Sequence, residues 1–350
     1  MTVAFTDADF PAYPYPGSRP DRSFLHEREL GRALRPGGAA PWSWRLADDD
    51  TDLDDWLADR GEPALAERIP VLAYGSNACP AKITWLRGQL GLSGPVVVLR
   101  ATYTGLAAVW AAALRARDGQ RPATLAAAPG LVETHAVWLA TPEQVRVLDV
   151  CEGRGERYRL ARLATGEIRT EDGNRLDGVL AYLGRPNPSA DRTPLHVNGE
   201  PVRCAEVTQS EAIALIGVPG ADGLDADTID GAPLAEDWPD RVFVYGTLQP
   251  GGTAWSVAEP WCAGEPQPAR LTGTLYDTGL GWPALRLAGR TEVPGRLLRL
   301  RTPAAALAML DEYEGKEYRR VRVALPDGSL CWTYEWTDPV AGMTELTRGW

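Results

Sequence analysis

Two apolar segments of the chain end in the same Tyr-Gly dipeptide. They read VLAYGSN at residues 71–77 and VFVYGTL at residues 242–248. A short apolar run closed by Gly and a small hydroxyl residue predicts a buried strand that enters a tight turn. The amides after such a turn can converge on an anion or an oxyanion. The candidate binding residues are therefore Tyr74, Gly75, Ser76 and Asn77 in the first segment, and Tyr245, Gly246, Thr247 and Leu248 in the second.

Each Tyr-Gly segment is followed by the same order of patterns. An apolar helical run ends in Leu-Asp-x-x-Glu-Gly, within EQVRVLDVCEGRGERYRLARL at 143–163 and AALAMLDEYEGKEYRRVRVAL at 305–325. An apolar closing strand comes next, GVLAYL at 178–183 and CWTYEW at 331–336. A repeated order with different loop lengths is most simply explained by tandem duplication of one domain.

The repeated motif places a glutamate, Glu152 or Glu314, at the end of a helical run just before a glycine. The helix dipole is unfavourable for a carboxylate there. For either residue alone, a solvated acid at a helix end is the simpler interpretation. Its occurrence in both copies favours a carboxylate with a raised pKa, as a general base near neutral pH requires.

The segments outside the repeats carry weaker patterns. Residues 1–45 show no sustained period, which predicts an irregular arm. Residues 48–70 predict two short acidic helical segments broken at Gly61 and Pro63. A helix is expected over 205–217, followed by an acidic, turn-rich linker over 219–240.

Composition restricts the class of function. A length of 350 residues suggests about two domains, and the net charge of −11 disfavours a nucleic-acid surface. The longest apolar stretch, at 105–114, is too short to span a bilayer, so we expect a cytoplasmic protein with a small-molecule partner and no membrane contact. The oligomeric state does not follow from the sequence.

Cysteine and histidine usage gives no metal site. Five scattered cysteines and three histidines lack ligand spacing, so no metal and no cofactor are expected. Cys151 with His135 suggests a cysteine nucleophile, but Tyr313 stands at the equivalent position of the second copy, which disfavours that chemistry. Cys151 is more simply a small buried residue.

The ordered set of motifs resembles the γ-glutamylcyclotransferases. The second half, with VYGTLQPG, LTGTLYD, WPALRL, VPGRLLRL and LDEYEGKEYRRVRV, is most similar to the γ-glutamylamine cyclotransferase branch. The resemblance implies an α+β fold of two tandem units, each a small mixed five- or six-stranded barrel-like sheet flanked by helices. The expected boundaries are an arm with acidic helical segments at 1–69, a first domain at 70–183, a linker with one helix at 184–240 and a second domain at 241–350.

The resemblance also implies a reaction, in which a γ-glutamyl amide cyclises to 5-oxoproline and releases its amine. Glu314, and by motif position Glu152, would act as general acid and base, while the loop amides hold the substrate and Tyr334 and Tyr182 face it. His135 departs from the pattern at the position of Gly295, where it either narrows the pocket or packs under a loop. Trp282 is expected near a pocket mouth. Two alternatives stay open: one copy, more simply the first, only binds or stabilises, or the fold cleaves a γ-glutamyl amide in another way.

Overall fold

The computed structural model describes residues 4–38 and 42–350 of the chain. The chain divides into two compact units, Met1–Pro233 and Leu234–Trp350. Both units combine helices with a mixed sheet, so the predicted α+β class is confirmed. None of the helices within these described ranges is long and apolar enough to cross a membrane.

The described residues of the first unit form mainly strands, together with four α-helices. The helices are α1 Leu53–Ala58, α2 Pro80–Leu90, α3 Pro142–Glu152 and α4 Gln209–Ala214. The strands are β1 Ala4–Thr6, β2 Phe24–Glu27, β3 Leu30–Pro36, β4 Trp44–Leu46, β5 Ile69–Ala73, β6 Val96–Trp110, β7 Ala123–Ala140, β8 Tyr158–Leu163, β9 Glu167–Thr170, β10 Arg175–Leu176, β11 Leu180–Gly184, β12 Leu195–Val197, β13 Glu200–Pro201, β14 Val218–Pro219 and β15 Ala226–Thr228.

The strand that leads into the first Tyr-Gly turn lies inside the main sheet. β5 pairs in parallel with β11 on one side and antiparallel with β7 on the other. All five of its residues are buried, as expected for a central strand covered on both faces. β7 continues into a long hairpin with β6, and β11 pairs antiparallel with β8. The Tyr-Gly turn therefore follows a strand that is fully buried and paired on both sides.

The first unit is larger than the sequence suggested. Its main sheet has 12 strands within the described residues, against an expected five or six. The expected irregular arm at 1–45 instead contains four strands, and β2 pairs with Val96–Val98 of β6. Residues 1–3 and 39–41 of that arm lie outside the described ranges. Short strands such as these gain stability from long-range pairing, so local periodicity does not reveal them.

The segments around the first repeat agree with the sequence only in part. The two predicted acidic helical segments correspond to α1 and the 3₁₀ turn Leu65–Glu67. The helix expected over 205–217 is shorter, because α4 ends at Ala214 and Leu215 is already extended. Within the expected linker, β12 to β14 form a small sheet and β15 joins β8, so this stretch contributes strands to the first unit.

The second unit is a single mixed sheet with two α-helices and two 3₁₀ turns. The α-helices are α5 Trp255–Ala258 and α6 Pro303–Glu314, and the 3₁₀ turns are Ala235–Asp237 and Glu259–Trp261. The strands are β16 Arg241–Val244, β17 Gln267–Asp277, β18 Pro283–Arg299, β19 Tyr318–Ala324, β20 Leu330–Trp336 and β21 Thr344–Leu346. Their order across the sheet is β19, β20, β16, β18, β17 and β21.

Strand β16 is covered on both faces. Val242 and Val244 pack in one apolar cluster with Leu307 and Leu310 of α6, whereas Phe243 belongs to a second cluster with the β17–β18 hairpin. β16 pairs in parallel with β20 and antiparallel with β18. This packing holds the second Tyr-Gly turn beside the C-terminal end of α6.

Candidate functional site

The Tyr-Gly turn of the second unit requires its glycine. A Cβ atom on Gly246 would lie 2.8 Å from Cγ and 2.9 Å from Cδ of Pro283, closer than side chains approach. The amides of Gly246, Thr247 and Leu248 donate to no partner among the described residues. They are therefore available to a ligand at this turn.

Glu314 is the last residue of α6. The helix begins at Pro303, where a missing amide hydrogen costs nothing, and it is followed by Gly315 with φ of 71°. Glu314 has no hydrogen-bond or ion-pair partner within the described part of the chain, and burial raises its pKa to about 7. A carboxyl group in this state exchanges protons readily near neutral pH.

A cavity of about 660 Å³ joins these elements in the second unit. All six residues predicted for this half line it: Tyr245, Gly246, Thr247, Leu248, Glu314 and Tyr334. Trp282, expected near a pocket mouth, also lines the cavity and is 42% exposed. The rest of the lining is mostly aromatic or apolar.

The first unit repeats this arrangement around Glu152. Thr141 caps the N-terminus of helix α3, where its Oγ1 accepts from the Gln144 amide at 3.3 Å, and the helix ends at Glu152 before a left-handed Gly153. The Asn77 side-chain Nδ2 donates to Glu152 Oε1 at 2.8 Å. Burial raises the pKa of Glu152, and the Asn77 hydrogen bond opposes that rise. Leu248 replaces Asn77 in the second unit, so Glu314 lacks this donor.

A cavity of about 320 Å³ lies beside Glu152. The predicted residues of the first half all line it: Tyr74, Gly75, Ser76, Asn77, Glu152 and Tyr182. Sequence reasoning missed most of the other side chains. The lining also includes basic and aromatic residues from distant segments: Tyr15, Lys82, Trp85, Arg115, Arg117, Arg157, Tyr158 and Arg192. Of these, Lys82 and Trp85 follow the Tyr-Gly motif, and Arg157 and Tyr158 follow the glutamate motif, closely enough for the sequence to have indicated them.

The tyrosine hydroxyls of the second unit are engaged with the protein. Tyr245 Oη donates to the carbonyl oxygen of Tyr334 at 2.6 Å, and Tyr334 Oη donates to Asp311 Oδ1 at 2.8 Å. Asp311 is the aspartate of the Leu-Asp-x-x-Glu-Gly motif. These bonds tie the Tyr-Gly turn, the closing strand and the helix that carries Glu314 together.

The first unit has the same tyrosine contacts. Tyr74 Oη donates to the carbonyl oxygen of Tyr182, and Tyr182 Oη donates to Asp149 Oδ1 at 2.7 Å. The expectation that Tyr182 and Tyr334 face a ligand stays a prediction, and it concerns their rings only. Both rings line their cavities, but their hydroxyls bond to a helix aspartate because the closing strand packs against that helix.

A third tyrosine contact also occurs in each unit. Tyr158 Oη donates to the carbonyl oxygen of Ala123 at 2.9 Å, and Tyr318 Oη donates to that of Pro283 at 2.6 Å. Ala123 and Pro283 each begin the second strand of a long hairpin. The tyrosine after the motif thus fixes the start of that strand near the cavity.

His135 belongs to a separate polar cluster. Its Nε2 lies 2.7 Å from Glu133 Oε2, and Glu133 Oε1 accepts from Arg203 Nη2 at 3.1 Å. Burial lowers the pKa of His135, and the residue does not line the cavity of its unit. The expectation that His135 narrows the pocket does not agree with this position, and packing under a loop stays a prediction. His135 precedes the residue paired with Ala73, so it does stand where Gly295 stands in the second unit.

Cys151 lines the cavity of the first unit beside Glu152. Burial raises the pKa of its thiol. A nucleophilic cysteine needs the opposite change, since the thiolate is the reactive form. No group of three or more His, Cys, Asp or Glu side chains in residues 4–38 and 42–350 is arranged to hold a metal ion.

Each unit thus presents a half-buried carboxyl group beside a glycine turn. In the second unit the amides of that turn are also available, an arrangement suited to proton transfer on a small molecule with a developing oxyanion. Residues 242–350 match the family model described as "Gamma-glutamyl cyclotransferase, AIG2-like". The match lies wholly within the second unit. No curated protein sequence is significantly similar to this chain.

Several solved structures are similar to part of the chain. A uropathogenic E. coli-specific protein is 23% identical, with 31% of this chain and 87% of that chain covered and a TM-score of 0.28. The protein ytfP from Escherichia coli is 28% identical, covering 31% and 92%, with a TM-score of 0.24. A structure titled gamma-glutamyl cyclotransferase is 17% identical, covering 33% and 66%, with a TM-score of 0.28.

Proposed function

We propose that this chain cyclises a γ-glutamyl amide to 5-oxoproline and releases the amine, with Glu314 as general base and then general acid. The observation that carries the proposal is the state of Glu314. Its carboxyl group has a pKa of about 7, has no partner among residues 4–38 and 42–350, and lines the same cavity as the Tyr-Gly turn within the matched region. A base with this pKa is half ionised at neutral pH, which suits a residue that both takes and returns a proton.

The reaction needs few protein groups. Glu314 takes a proton from the substrate α-ammonium, and the freed nitrogen attacks the γ-carbonyl carbon. The C–N bond to the amine then breaks as Glu314 returns its proton to the leaving nitrogen. The ring nitrogen gives up its second proton to the departing amine, which leaves as an ammonium ion, and the ring keeps a lactam N–H. The amides of residues 246–248 stabilise the oxyanion that forms on the carbonyl oxygen. Because nucleophile and electrophile belong to one molecule, proximity supplies an effective molarity of about 10⁵ M or more.

We also infer that the two units arose by duplication and that Glu152 takes the equivalent role. Support comes from the strand pairing, since β5 and β16 each lie between a parallel closing strand and the second strand of a long hairpin. The three tyrosine hydrogen bonds are repeated as well. The second unit follows the family pattern more fully, so we expect Glu314 to contribute more to turnover than Glu152.

The test measures 5-oxoproline release from a panel of γ-glutamyl amides by mass spectrometry. Glu314→Gln keeps the size of the side chain but removes the base, and turnover is expected to fall by about 10²–10⁴-fold while ligand binding persists. Glu152→Gln and the double variant apportion activity between the units. Glu312→Gln, an exposed neighbour on the same helix, is the matched control and should keep wild-type activity.

The outcomes separate the alternatives. Free glutamate in place of 5-oxoproline would indicate hydrolysis instead of cyclisation. Full activity in Glu152→Gln together with ligand binding by the first unit would make that unit a binding copy. If Glu314→Gln stays fully active and Glu152→Gln is inactive, the first unit is the enzyme. A double variant as active as wild type would show that neither carboxylate is the base.

A further inference from the structure

The N-terminal arm contributes one side chain to the cavity of the first unit. Tyr15 lies between β1 and β2, lines the cavity and is 9% exposed. It belongs to neither repeated motif and lies outside residues 242–350, which the family model matches. The described lining of the second cavity begins at Phe243 and contains no residue from an arm. Among the described residues, Tyr15 therefore has no counterpart in the second cavity.

Three contacts hold Tyr15 in place. The Arg115 guanidinium carbon lies 4.5 Å from the centroid of the Tyr15 ring, and the centroid of the Trp110 ring lies 6.4 Å away. Gln209 Nε2 donates to the Tyr15 carbonyl oxygen at 3.4 Å. Because the backbone and the ring are both held, the hydroxyl has a defined position, as a ligand-binding group requires.

The Tyr15 hydroxyl accepts a hydrogen bond but does not donate one. The Ala123 amide donates to Tyr15 Oη at 2.9 Å, and within residues 4–38 and 42–350 this hydroxyl donates to no acceptor. Burial raises the pKa of Tyr15 above its usual range, so the hydroxyl keeps its hydrogen near neutral pH. A buried donor without an acceptor costs free energy, whereas a donor that faces a cavity can bind a ligand oxygen.

The hydroxyl lies at the Tyr-Gly turn of the first unit. A Cβ atom on Gly75 would be 3.1 Å from Tyr15 Oη, and no other heavy atom outside the turn would lie within 4 Å of it. Glu152 lines the same cavity. The unused hydrogen of Tyr15 is therefore available to a ligand oxygen at this turn, in the cavity that holds the candidate base.

The second unit needs no such tyrosine. Pro283 stands at the position of Ala123, since each begins the second strand of a long hairpin. Proline has no amide hydrogen, so that position needs no acceptor. The nearest atoms to a Cβ on Gly246 belong to the ring of Pro283, whereas the nearest atom to a Cβ on Gly75 is Tyr15 Oη. The tyrosine hydroxyl of the first unit thus takes the place of an apolar ring in the second and adds a hydrogen-bond donor.

We propose that Tyr15 is a ligand-binding residue of the first unit and that its hydroxyl donates to the γ-carbonyl oxygen of the amide held at the Tyr-Gly turn. This inference rests on the proposed function for the identity of the amide and for catalysis by the first unit. When the α-nitrogen attacks, the carbonyl oxygen takes up negative charge, so the hydrogen bond is stronger in the transition state than with bound substrate. The hydrogen stays on Tyr15, which acts as a donor and not as an acid.

Binding to the first unit can be followed at position 15 itself. The full-length protein carries Glu152→Gln and Glu314→Gln, which remove both bases, and 3-fluorotyrosine is incorporated at position 15. The probe is γ-glutamyl-propylamine, whose amine part is uncharged, and the fluorine resonance is recorded during its titration. We expect the resonance to move with amide concentration until the first unit is saturated, because the neighbouring hydroxyl gains an acceptor.

Two further variants isolate the hydroxyl. With 3-fluorophenylalanine at position 15, which keeps the ring, the same titration should show affinity for the amide about two- to fivefold weaker. In a Glu314→Gln background, where Glu152 is the remaining base, Tyr15→Phe should lower kcat for 5-oxoproline release about 10²-fold and change KM much less. Tyr13→Phe, on the same arm and 72% exposed, is the matched control and should change neither affinity nor turnover.

The results separate this inference from the proposed reaction. A fluorine resonance that stays unchanged at every amide concentration, or equal affinity with and without the hydroxyl, overturns the assignment. A rise in KM at unchanged kcat also overturns it, because the hydroxyl would then contact another oxygen atom of the ligand. An amide-dependent shift and weaker binding without the hydroxyl support the contact even if wild type releases no 5-oxoproline. In that case the reaction fails and the ligand-binding role of Tyr15 stands.

Discussion

Replacing Glu314 by Gln should stabilise the second unit at alkaline pH. The pKa of Glu314 rises from 4.5 to about 7 because the folded protein buries it. At about 1.36 kcal/mol for each tenfold change in the protonation equilibrium, ionising Glu314 costs roughly 3 kcal/mol more in the folded than in the unfolded chain. The cost is absent below pH 4.5, grows as the pH rises and is complete above pH 7. Glutamine is neutral at every pH, so the Glu314→Gln variant does not have this free-energy cost.

The measurement is the free energy of unfolding of the second unit between pH 4 and pH 8.5. Urea denaturation with pulsed hydrogen exchange, read on the buried strand Leu330–Trp336, reports on this unit alone. We expect Glu314→Gln to exceed wild type by about 3 kcal/mol at pH 8 and to equal it near pH 4.

The control is Glu312→Gln, which removes the same charge from an exposed position on the same helix. It should follow the wild-type curve across the whole range, since an exposed carboxylate loses little hydration on folding. If Glu314→Gln is no more stable than wild type at pH 8, or if its advantage is the same at pH 4, Glu314 is not desolvated. It would then lack the raised pKa on which the proposed base depends.

Three further predictions follow from the site. Tyr334→Phe removes the hydrogen bond to Asp311 Oδ1 at 2.8 Å and should cost the second unit about 1–2 kcal/mol in the same denaturation assay, and an unchanged free energy would contradict the structural role of that hydroxyl. Asn77→Ala removes the hydrogen bond that lowers the pKa of Glu152. In a Glu314→Gln background, the acidic limb of the pH profile of 5-oxoproline release should therefore move to higher pH, and an unchanged limb would contradict the role of this contact. A chelator such as EDTA should leave 5-oxoproline release unchanged, and a loss restored by a divalent ion would rule out the carboxylate mechanism as described.

Local sequence patterns determined the parts of the site that lie close together in the chain. The runs before Tyr74 and Tyr245 are short and apolar, and they form central strands because both of their faces need burial. The helices end at Glu152 and Glu314 because a glycine follows each of them. Strand, turn and helix end could therefore be predicted from residues that are neighbours in sequence.

Tertiary structure alone decided the surroundings of the two carboxyl groups. The hydroxyl of Tyr334 bonds to Asp311 and is not free for a ligand, because the packing of a strand against α6 brings the two side chains together. Likewise, β2 joins β6 through backbone pairs that no local period indicates. Such contacts link residues far apart in sequence, and their side chains carry no common spacing.

The charge of the first cavity is the clearest example of a property that local sequence patterns do not reveal. The sequence contains Lys82, Arg115 and Arg192 in three separate segments, and the overall net charge of −11 does not indicate a positively charged cavity. Only the folded chain brings these side chains to one cavity beside Glu152. The sequence by itself determined the repeated motifs and the kind of acid–base chemistry they favour, because both depend on residue type and local spacing. Tertiary structure decided the electrostatics of each cavity, because electrostatic interactions depend on distance in space and on burial.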